Sequence, residues 1–196
     1  MIKKSIYDEM LQNNKIKKDS ITLLETFSND KCDEYDFFIS YSTNDMEYAF
    51  LTKKLLESMY VDNKKRGYKI YLDFEDALLD HNEVSENTAK RLASIIEKCK
   101  SIIYIHSQNS KLSKWCPWEL GLGQGLKKPI SILELVDDEK SFVKQAYLEV
   151  YPTIERKKIK GKDEYIFWVY DRKNNKKYVN IRDYINGTMP YYHGGK

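Results

Sequence analysis

Between residues 33 and 137 the chain alternates short apolar runs with stretches of helical periodicity. Four runs, rich in aromatic and β-branched residues, are typical of buried strands: 35–41, 68–74, 101–106 and 129–135. Three intervening segments place apolar residues three or four positions apart, as amphipathic helices do: 46–59, 85–99 and 117–126. Strands that alternate with helices build a parallel sheet with right-handed crossovers. The pattern therefore predicts an α/β fold, a parallel sheet flanked by helices.

Such a sheet binds ligands beyond the carboxyl ends of its strands, where the strand order switches. The loops that follow the first three predicted strands are therefore the candidate site: residues 41–45, 74–82 and 107–118.

The two ends of the chain follow other patterns. Residues 1–32 predict an N-terminal helical extension. Residues 138–196 predict a helical stretch around Phe142–Leu148 and then a β-hairpin, in which residues 165–170 and 177–181 flank a charged turn. We therefore divide the chain into these two extensions and a domain at 33–137.

Composition narrows the class of protein. The chain has 196 residues, of which 41% are hydrophobic and 32% charged, a balance that excludes disordered and collagen-like chains. No run approaches the roughly 20 apolar residues of a membrane-spanning helix, and the first residues contain no apolar signal segment. The absence of such a run predicts no membrane partner. Three cysteines without a CxxC pair argue against a disulfide scaffold and a zinc site, and they indicate a cytoplasmic protein.

The positive charge is concentrated in the C-terminal extension. Residues 33–137 carry 14 basic and 17 acidic side chains, whereas residues 138–196 carry 13 and 8. The basic runs Arg156–Lys158 and Arg172–Lys177 are interpreted as solvated turns, because no row of aromatic residues interleaves with them in the sequence. A nucleic-acid partner is therefore not expected.

The segment from Ser113 to Gly121, Ser-Lys-Trp-Cys-Pro-Trp-Glu-Leu-Gly, is the most informative for chemistry. Pro117 suits the first position of a helix, which would make Cys116 the N-cap and place Glu119 in the first turn. A carboxylate there gains roughly 0.3–1 kcal/mol from the helix dipole. The spacing alone leaves a capping role for Glu119 open, as well as a hydrophobic staple between Trp115 and Leu120.

Three further features have plain structural interpretations. The acidic cluster within residues 73–83 matches no metal-binding spacing, so a solvated loop is preferred to a metal site. The glycines of Gly121–Gly125 do not follow a strand as a dinucleotide fingerprint requires, so we expect them to let a helix approach the sheet. His106, at a predicted strand end, is expected to be structural.

Three motifs in register on this pattern carry a family resemblance. They are Tyr35–Ser42 (Tyr-Asp-Phe-Phe-Ile-Ser-Tyr-Ser), Tyr71–Asp73 (Tyr-Leu-Asp) and Ser113–Glu119 (Ser-x-Trp-Cys-x-x-Glu). In this order and at these separations they resemble the Toll/interleukin-1 receptor (TIR) domain family over residues 33–137. Within it, the Trp-x-x-x-Glu pattern is similar to prokaryotic TIR proteins of antiphage defence, in particular the TIR subunit of Thoeris systems.

The resemblance implies a flavodoxin-like TIR fold and an enzyme that cleaves the nicotinamide–ribose bond of NAD⁺, its substrate, with no cofactor and no metal. It implies that Glu119 is the catalytic glutamate and that Trp115 borders the pocket. It also implies that substrate is contacted by Tyr41 and Ser42 after the first strand, and by Asp73 and Asp76 after the second. The product would be a cyclic or conjugated nucleotide signal, derived from ADP-ribose, for a separate effector in antiphage defence, including abortive infection.

The resemblance also implies TIR–TIR self-association, with the 74–82 loop as the candidate contact. Two alternatives stay open from the sequence. One is a toxin that only depletes NAD⁺, and the other is an adaptor that binds other TIR domains without catalysis.

Overall fold

The computed structural model describes residues 2–13, 33–59, 67–72, 85–136 and 145–193. The strands are β1 Ile2–Lys3, β2 Tyr35–Ser40, β3 Ile70–Tyr71, β4 Cys99–His106, β5 Ile130–Val136, β6 Thr153–Lys158, β7 Tyr165–Tyr170, β8 Lys177–Asn180 and β9 Tyr191–Tyr192. The α-helices are α1 Lys4–Asn13, α2 Met46–Glu57, α3 Glu86–Lys98, α4 Trp115–Gly125 and α5 Ile181–Ile185. Short 3₁₀ turns lie at Thr43–Asp45, Ser110–Leu112 and Ala146–Val150.

These strands form one sheet in the order β3-β2-β4-β5-β6-β7-β8-β9, with β1 paired to β5. Strands β3, β2, β4, β5 and β6 run parallel, whereas β6 to β9 form an antiparallel meander. The predicted α/β fold with a parallel sheet is confirmed. Because β2 has β3 on one side and β4 on the other, the strand order switches at β2, which places the expected ligand crevice at its carboxyl end.

Two apolar cores lie on opposite faces of the sheet because successive side chains of a strand alternate between faces. The first core contains Phe37 and Ile39 of β2 and is covered by α1 and α2. The second contains Phe38 of β2 and Tyr104 of β4, and it is covered by α3 and α4. Helix α3 begins where the Ser85 hydroxyl accepts the backbone N–H of Thr88, so a side-chain cap sets its start.

The glycine-rich segment of α4 lets the helix approach the sheet at one position. A Cβ atom on Gly123 would lie 2.1 Å from Cδ1 of Ile102 on β4, whereas one on Gly121 or Gly125 would meet nothing within 4 Å. The close approach is therefore specific to Gly123. This contact fixes the depth at which α4 sits on β4.

The C-terminal extension continues the central sheet. The predicted hairpin is confirmed, since β7 and β8 pair around a turn in which Asp171 accepts the backbone N–H groups of Lys173 and Asn174. The interpretation of Arg156–Lys158 as a solvated turn is wrong, because these residues belong to β6, whose Ile154 is buried opposite Val169. Charged side chains on both faces of β6 hid the strand from the hydrophobic pattern.

Two other expectations for the extension differ from the structure. Arg172 was expected in solvent, but its side chain is 11% exposed and pairs with Glu134 on β5. The helical stretch predicted around Phe142–Leu148 falls partly outside the described residues, and its described end forms the 3₁₀ turn Ala146–Val150. Nothing in the described ranges is a helix long and apolar enough to cross a bilayer.

Candidate active site

The candidate site is built around Glu119, which α4 places at the carboxyl end of β2. The side chain is 2% exposed. The hydroxyl of Ser40, the last residue of β2, donates a hydrogen bond of 2.6 Å to Oε2 of Glu119. A carboxylate is rarely buried unless polar groups hold it, since burial without partners costs several kcal/mol. The Ser40 contact therefore marks a carboxylate fixed at the predicted ligand edge of the sheet.

Helix α4 begins two residues earlier than the sequence predicts. Its first residue is Trp115, and the Ser113 hydroxyl accepts the backbone N–H of Cys116 at 3.2 Å. The assignments of Cys116 as N-cap and of Glu119 to the first turn are therefore wrong. Pro117 is still tolerated because the first backbone N–H groups of a helix have no intrahelical acceptor. Glu119 consequently depends on its side-chain contacts more than on the helix dipole.

Trp115 lies beside this carboxylate on the same helix. Its ring is half-buried, packs against the second core and meets Trp118 edge to face, with centroids 5.5 Å apart. The indole thus has a fixed orientation. Its predicted place at the border of a pocket remains a prediction.

The structure places the other predicted contacts as follows. The Tyr41 ring belongs to the first core, with Phe37 and Ile39, on the face of the sheet opposite Ser40. Ser42 is buried, and its carbonyl accepts the backbone N–H of Asp45 at 2.6 Å. Asp73, Asp76 and the rest of the 74–82 loop lie outside the described residues, so their predicted roles stay predictions.

Ser40 is the functional candidate that the sequence analysis missed. It lies two residues beyond Phe38, on the face that α4 covers. A serine at the buried carboxyl end of a parallel strand was the available signal. The predicted strand ran on to Tyr41, which drew attention away from Ser40.

A second missed feature ties the loop after β2 to the loop after β4. Asp45 is 1% exposed and accepts hydrogen bonds from the Ser107 hydroxyl at 2.5 Å and from the side-chain amide of Asn109 at 2.7 Å. The Ser107 hydroxyl also accepts the backbone N–H groups of Asn109 and Ser110. Two loops of the predicted ligand edge are therefore held in one arrangement.

His106 closes β4 next to this loop and is 1% exposed. Burial lowers the pKa of His106 to about 4, against the opposing effect of the nearby Glu134 carboxylate, while Arg172 and Lys111 lower it further. The imidazole is therefore neutral at physiological pH. Within the described ranges, no group of three or more His, Cys, Asp or Glu side chains is arranged to hold a metal ion.

Comparisons with known proteins identify the family of this chain. Residues 34–133 match the model of the TIR domain family. The chain is 33% identical over 159 residues to a Bacillus cereus (strain MSX-D12) protein named "Probable 3′ cyclic ADP-D-ribose synthase ThsB′", covering 80% of this chain and 78% of that protein. It is also 31% identical over 106 residues to a Cytobacillus dafuensis protein named "Putative cyclic ADP-D-ribose synthase TIR2", covering 53% of this chain and 26% of the longer relative. This chain therefore belongs to the TIR domain family.

Proposed function

We propose that this protein cleaves the bond between nicotinamide and ribose in NAD⁺ and releases a cyclic ADP-ribose signal. The single observation that carries the proposal is the buried Glu119 carboxylate, held by Ser40 at the carboxyl edge of a TIR sheet. Membership of the family and the names of the two cyclic ADP-D-ribose synthases support it. A binding-only adaptor has no need for a buried carboxylate at this edge.

The reaction needs few groups from the protein. Nicotinamide leaves as a neutral molecule from a cationic pyridinium, so no general acid has to protonate it. Its departure leaves an oxocarbenium-like ribose, as in glycoside hydrolysis. The Glu119 carboxylate stabilises that positive charge and holds the ribose hydroxyls.

The Ser40 hydroxyl donates to Oε2 of Glu119 and so helps to orient the carboxylate toward the ribose. Trp115 supplies an aromatic wall against which a nicotinamide or adenine ring stacks. Attack on the ribose by an atom of the same nucleotide closes a ring, whereas attack by water gives ADP-ribose. The names of the relatives favour ring closure.

The proposal extends to how the product is used. Similarity to ThsB′ over most of both chains supports a role in Thoeris-type antiphage defence, in which a separate effector responds to the nucleotide. It also includes self-association of TIR domains through the 74–82 loop. That contact predicts an activity per molecule that rises with protein concentration, and an activity independent of concentration contradicts it.

The test is to incubate purified protein with NAD⁺, with and without extract of phage-infected cells, and to identify products by mass spectrometry. Wild type is expected to release nicotinamide and a cyclic ADP-ribose in equal amounts. Glu119→Gln, which keeps the shape of the side chain, is expected to reduce release about 100- to 1,000-fold, as loss of a main electrostatic stabiliser does. Glu97→Gln, on the exposed face of α3, is the matched control and keeps full activity.

Three results would contradict the proposal in different ways. Equal background release by wild type and Glu119→Gln under both conditions excludes the enzyme. Release of ADP-ribose without a cyclic product leaves an enzyme that depletes NAD⁺ and removes the signalling role. Loss of activity in Glu97→Gln as well as in Glu119→Gln would show that the effect is not specific to the site.

A further inference from the structure

The carboxylate of Asp45 joins the loop after β2 to the loop after β4. Asp45 is the last residue of the 3₁₀ turn that follows β2, and its backbone N–H donates to the carbonyl of Ser42 at 2.6 Å. One of its carboxylate oxygens accepts the hydroxyl of Ser107, and the other accepts the side-chain amide of Asn109. A buried carboxylate needs such partners, and Asp45 finds these two in the loop that leads to α4.

The chemistry of this contact calls for a carboxylate at position 45. The hydroxyl of Ser107 already accepts two backbone N–H groups, those of Asn109 and Ser110. A hydroxyl has two acceptor lone pairs and one proton, so this hydroxyl is left with its proton to donate. The side-chain amide of Asn109 also approaches as a donor. Asp45 therefore meets two donors, and a carboxylate, which only accepts, satisfies both.

Hydrogen bonds continue from this contact along the chain to α4. The carbonyl of Ser110 accepts the backbone N–H of Ser113 at 3.3 Å. The hydroxyl of Ser113 then accepts the backbone N–H of Cys116, in the first turn of α4. Successive bonds therefore connect the loop held by Asp45 to the start of the helix, one turn before Glu119.

The rest of α4 is held by other contacts. Leu120 is buried in the second core, and Gly123 lies against Ile102 of β4. Loss of the Asp45 contacts should therefore leave the helix on the sheet and loosen its N-terminal end, which carries Trp115 and Glu119. A displacement of about 1 Å at a reacting group costs an enzyme about 100-fold in rate.

We propose that Asp45 is a positioning residue for the cleavage of the nicotinamide–ribose bond: it holds the loop after β4 and thereby sets the position of Glu119. This assignment rests on the proposed function, in which Glu119 stabilises the reacting ribose. Asp45 is 1% exposed, so it acts through the loop and not through contact with substrate. Its effect is therefore on the rate of the chemical step more than on substrate binding.

The experiment compares the steady-state release of nicotinamide from NAD⁺ by Asp45→Asn and by wild type. The amide has one acceptor group and one donor group in place of two acceptors, so one of the two donors in the loop after β4 loses its partner. We expect kcat to fall about 10- to 100-fold and KM to change by less than about threefold.

A double variant distinguishes positioning from a general loss of structure. Asp45→Asn combined with Asn109→Asp reverses one hydrogen bond: the new amide donates to the new carboxylate, while the amide oxygen accepts the hydroxyl of Ser107. Asn109 is half-buried, so a carboxylate at that position keeps contact with water. The double variant should have a kcat about 10-fold above that of Asp45→Asn alone, the value of one recovered hydrogen bond.

Asp36→Asn is the matched control. Asp36 is 3% exposed and accepts the backbone N–H of Lys69 at 2.9 Å and the ammonium group of Lys100 at 2.7 Å. It lies near the amino end of β2, whereas the candidate site lies at the carboxyl end. The same substitution there should leave kcat unchanged per folded molecule, with the folded fraction measured by thermal unfolding. Hydrogen–deuterium exchange across 107–116 should increase in Asp45→Asn and not in Asp36→Asn.

The outcomes separate this assignment from the proposed function. Wild-type kcat in Asp45→Asn overturns the role of Asp45 and leaves the NAD⁺-cleaving enzyme in place. An equal fall of kcat in Asp36→Asn, a double variant no faster than Asp45→Asn, or a change confined to KM also overturns it. Absence of nicotinamide release by wild type overturns the proposed function, and the role of Asp45 in catalysis with it.

Discussion

The two halves of the sheet differ in strand direction and in the helices that cover them. The parallel half, β3 to β5, is covered on both faces and carries the buried Glu119 carboxylate at its carboxyl edge. Within the described residues, the buried apolar side chains of the antiparallel strands β6 to β8 belong to the first core, on one face of the sheet. One continuous sheet thus carries the candidate active site in its parallel half and a set of neighbouring aromatic rings in its antiparallel half. The comparison indicates that the helices packed on each half of the sheet determine where a functional site can form in this fold.

The largest expected effect concerns the ion pair that joins the halves. Arg172, in the β7–β8 turn, donates to Glu134 on β5 at 2.7 Å, to Glu149 at 3.3 Å and to the carbonyl of Tyr151 at 3.0 Å. Breaking a buried pair leaves an uncompensated charge, so Arg172→Met should lower the free energy of unfolding by about 3 kcal/mol. Urea unfolding measures it.

The control for that prediction is an exposed pair in the antiparallel half. Lys158 and Asp163 lie 2.7 Å apart, with side chains 50% and 93% exposed. Lys158→Met should change the free energy of unfolding by less than about 0.5 kcal/mol, because exposed pairs contribute little. Equal losses in both variants would mean that Arg172 does not join the halves.

The second prediction concerns how the stability of the protein depends on pH through His106, the last residue of β4. Burial holds the pKa of His106 at about 4, below the 6.5 of an unfolded chain. Between these values the unfolded chain binds a proton that the folded chain does not. Stability therefore falls as the pH drops from 6.5 to 4. Through His106, the free energy of unfolding at pH 4.5 should be about 2 kcal/mol lower than at pH 7.

Urea unfolding of wild type and His106→Gln at pH 7 and pH 4.5 isolates this contribution from the carboxylates. Glu134, Arg172 and Lys111 face the same imidazole, and they are unchanged in the variant. The variant should lose less stability than wild type between the two pH values. An identical loss in the two proteins would show that His106 does not titrate as a buried, neutral group.

The comparison of the two halves also shows how much of the fold could be predicted from the sequence. The parallel half was predicted well, because its strands are continuous apolar runs such as Ile102–Ile105 and its helices have clear periodicity. Strand β6 was missed because only Ile154 is buried there, between charged neighbours. Local pattern identifies an element only when the element's own residues carry the apolar signal.

The residues of the candidate site likewise differ in how well the sequence predicts them. Glu119 could be identified from its spacing to Trp115 and the family resemblance. Its partner Ser40 could not, since the two are 79 residues apart and only the packing of α4 on β2 joins them. The buried Asp45 is a further example, because it accepts hydrogen bonds from Ser107 and Asn109 in the loop after β4. Contacts between elements that are distant in the sequence depend on tertiary packing, and no local sequence pattern predicts them.

The third prediction tests that tertiary contact through activity. Ser40→Ala removes the hydroxyl that directs Glu119, so nicotinamide release should fall about 10- to 100-fold, the value of a hydrogen bond to a charged group. Ser101→Ala is the matched control: this serine is also fully buried in the parallel half, but it donates to the carbonyl of Pro129. Comparable losses in both variants would attribute the effect to folding.

The smallest expected effect concerns the depth at which α4 packs on the sheet. Two glycines of this helix allow the effect of that packing on stability to be distinguished from the effect of helix propensity. Ala at either position favours the helix by about 0.5–1 kcal/mol. At Gly121 the new methyl group meets nothing within 4 Å, so Gly121→Ala should stabilise the protein by about that amount. At Gly123 the new methyl group collides with Ile102, and the strain should exceed the gain and leave a net loss of about 1 kcal/mol.

Thermal unfolding measures the stability of the two variants. If both stabilise the protein, Ile102 yields without cost, and the covering of the parallel half is looser than its burial implies. If Gly123→Ala also lowers nicotinamide release while Gly121→Ala does not, the depth of α4 sets the position of Glu119 as well as the stability of the sheet.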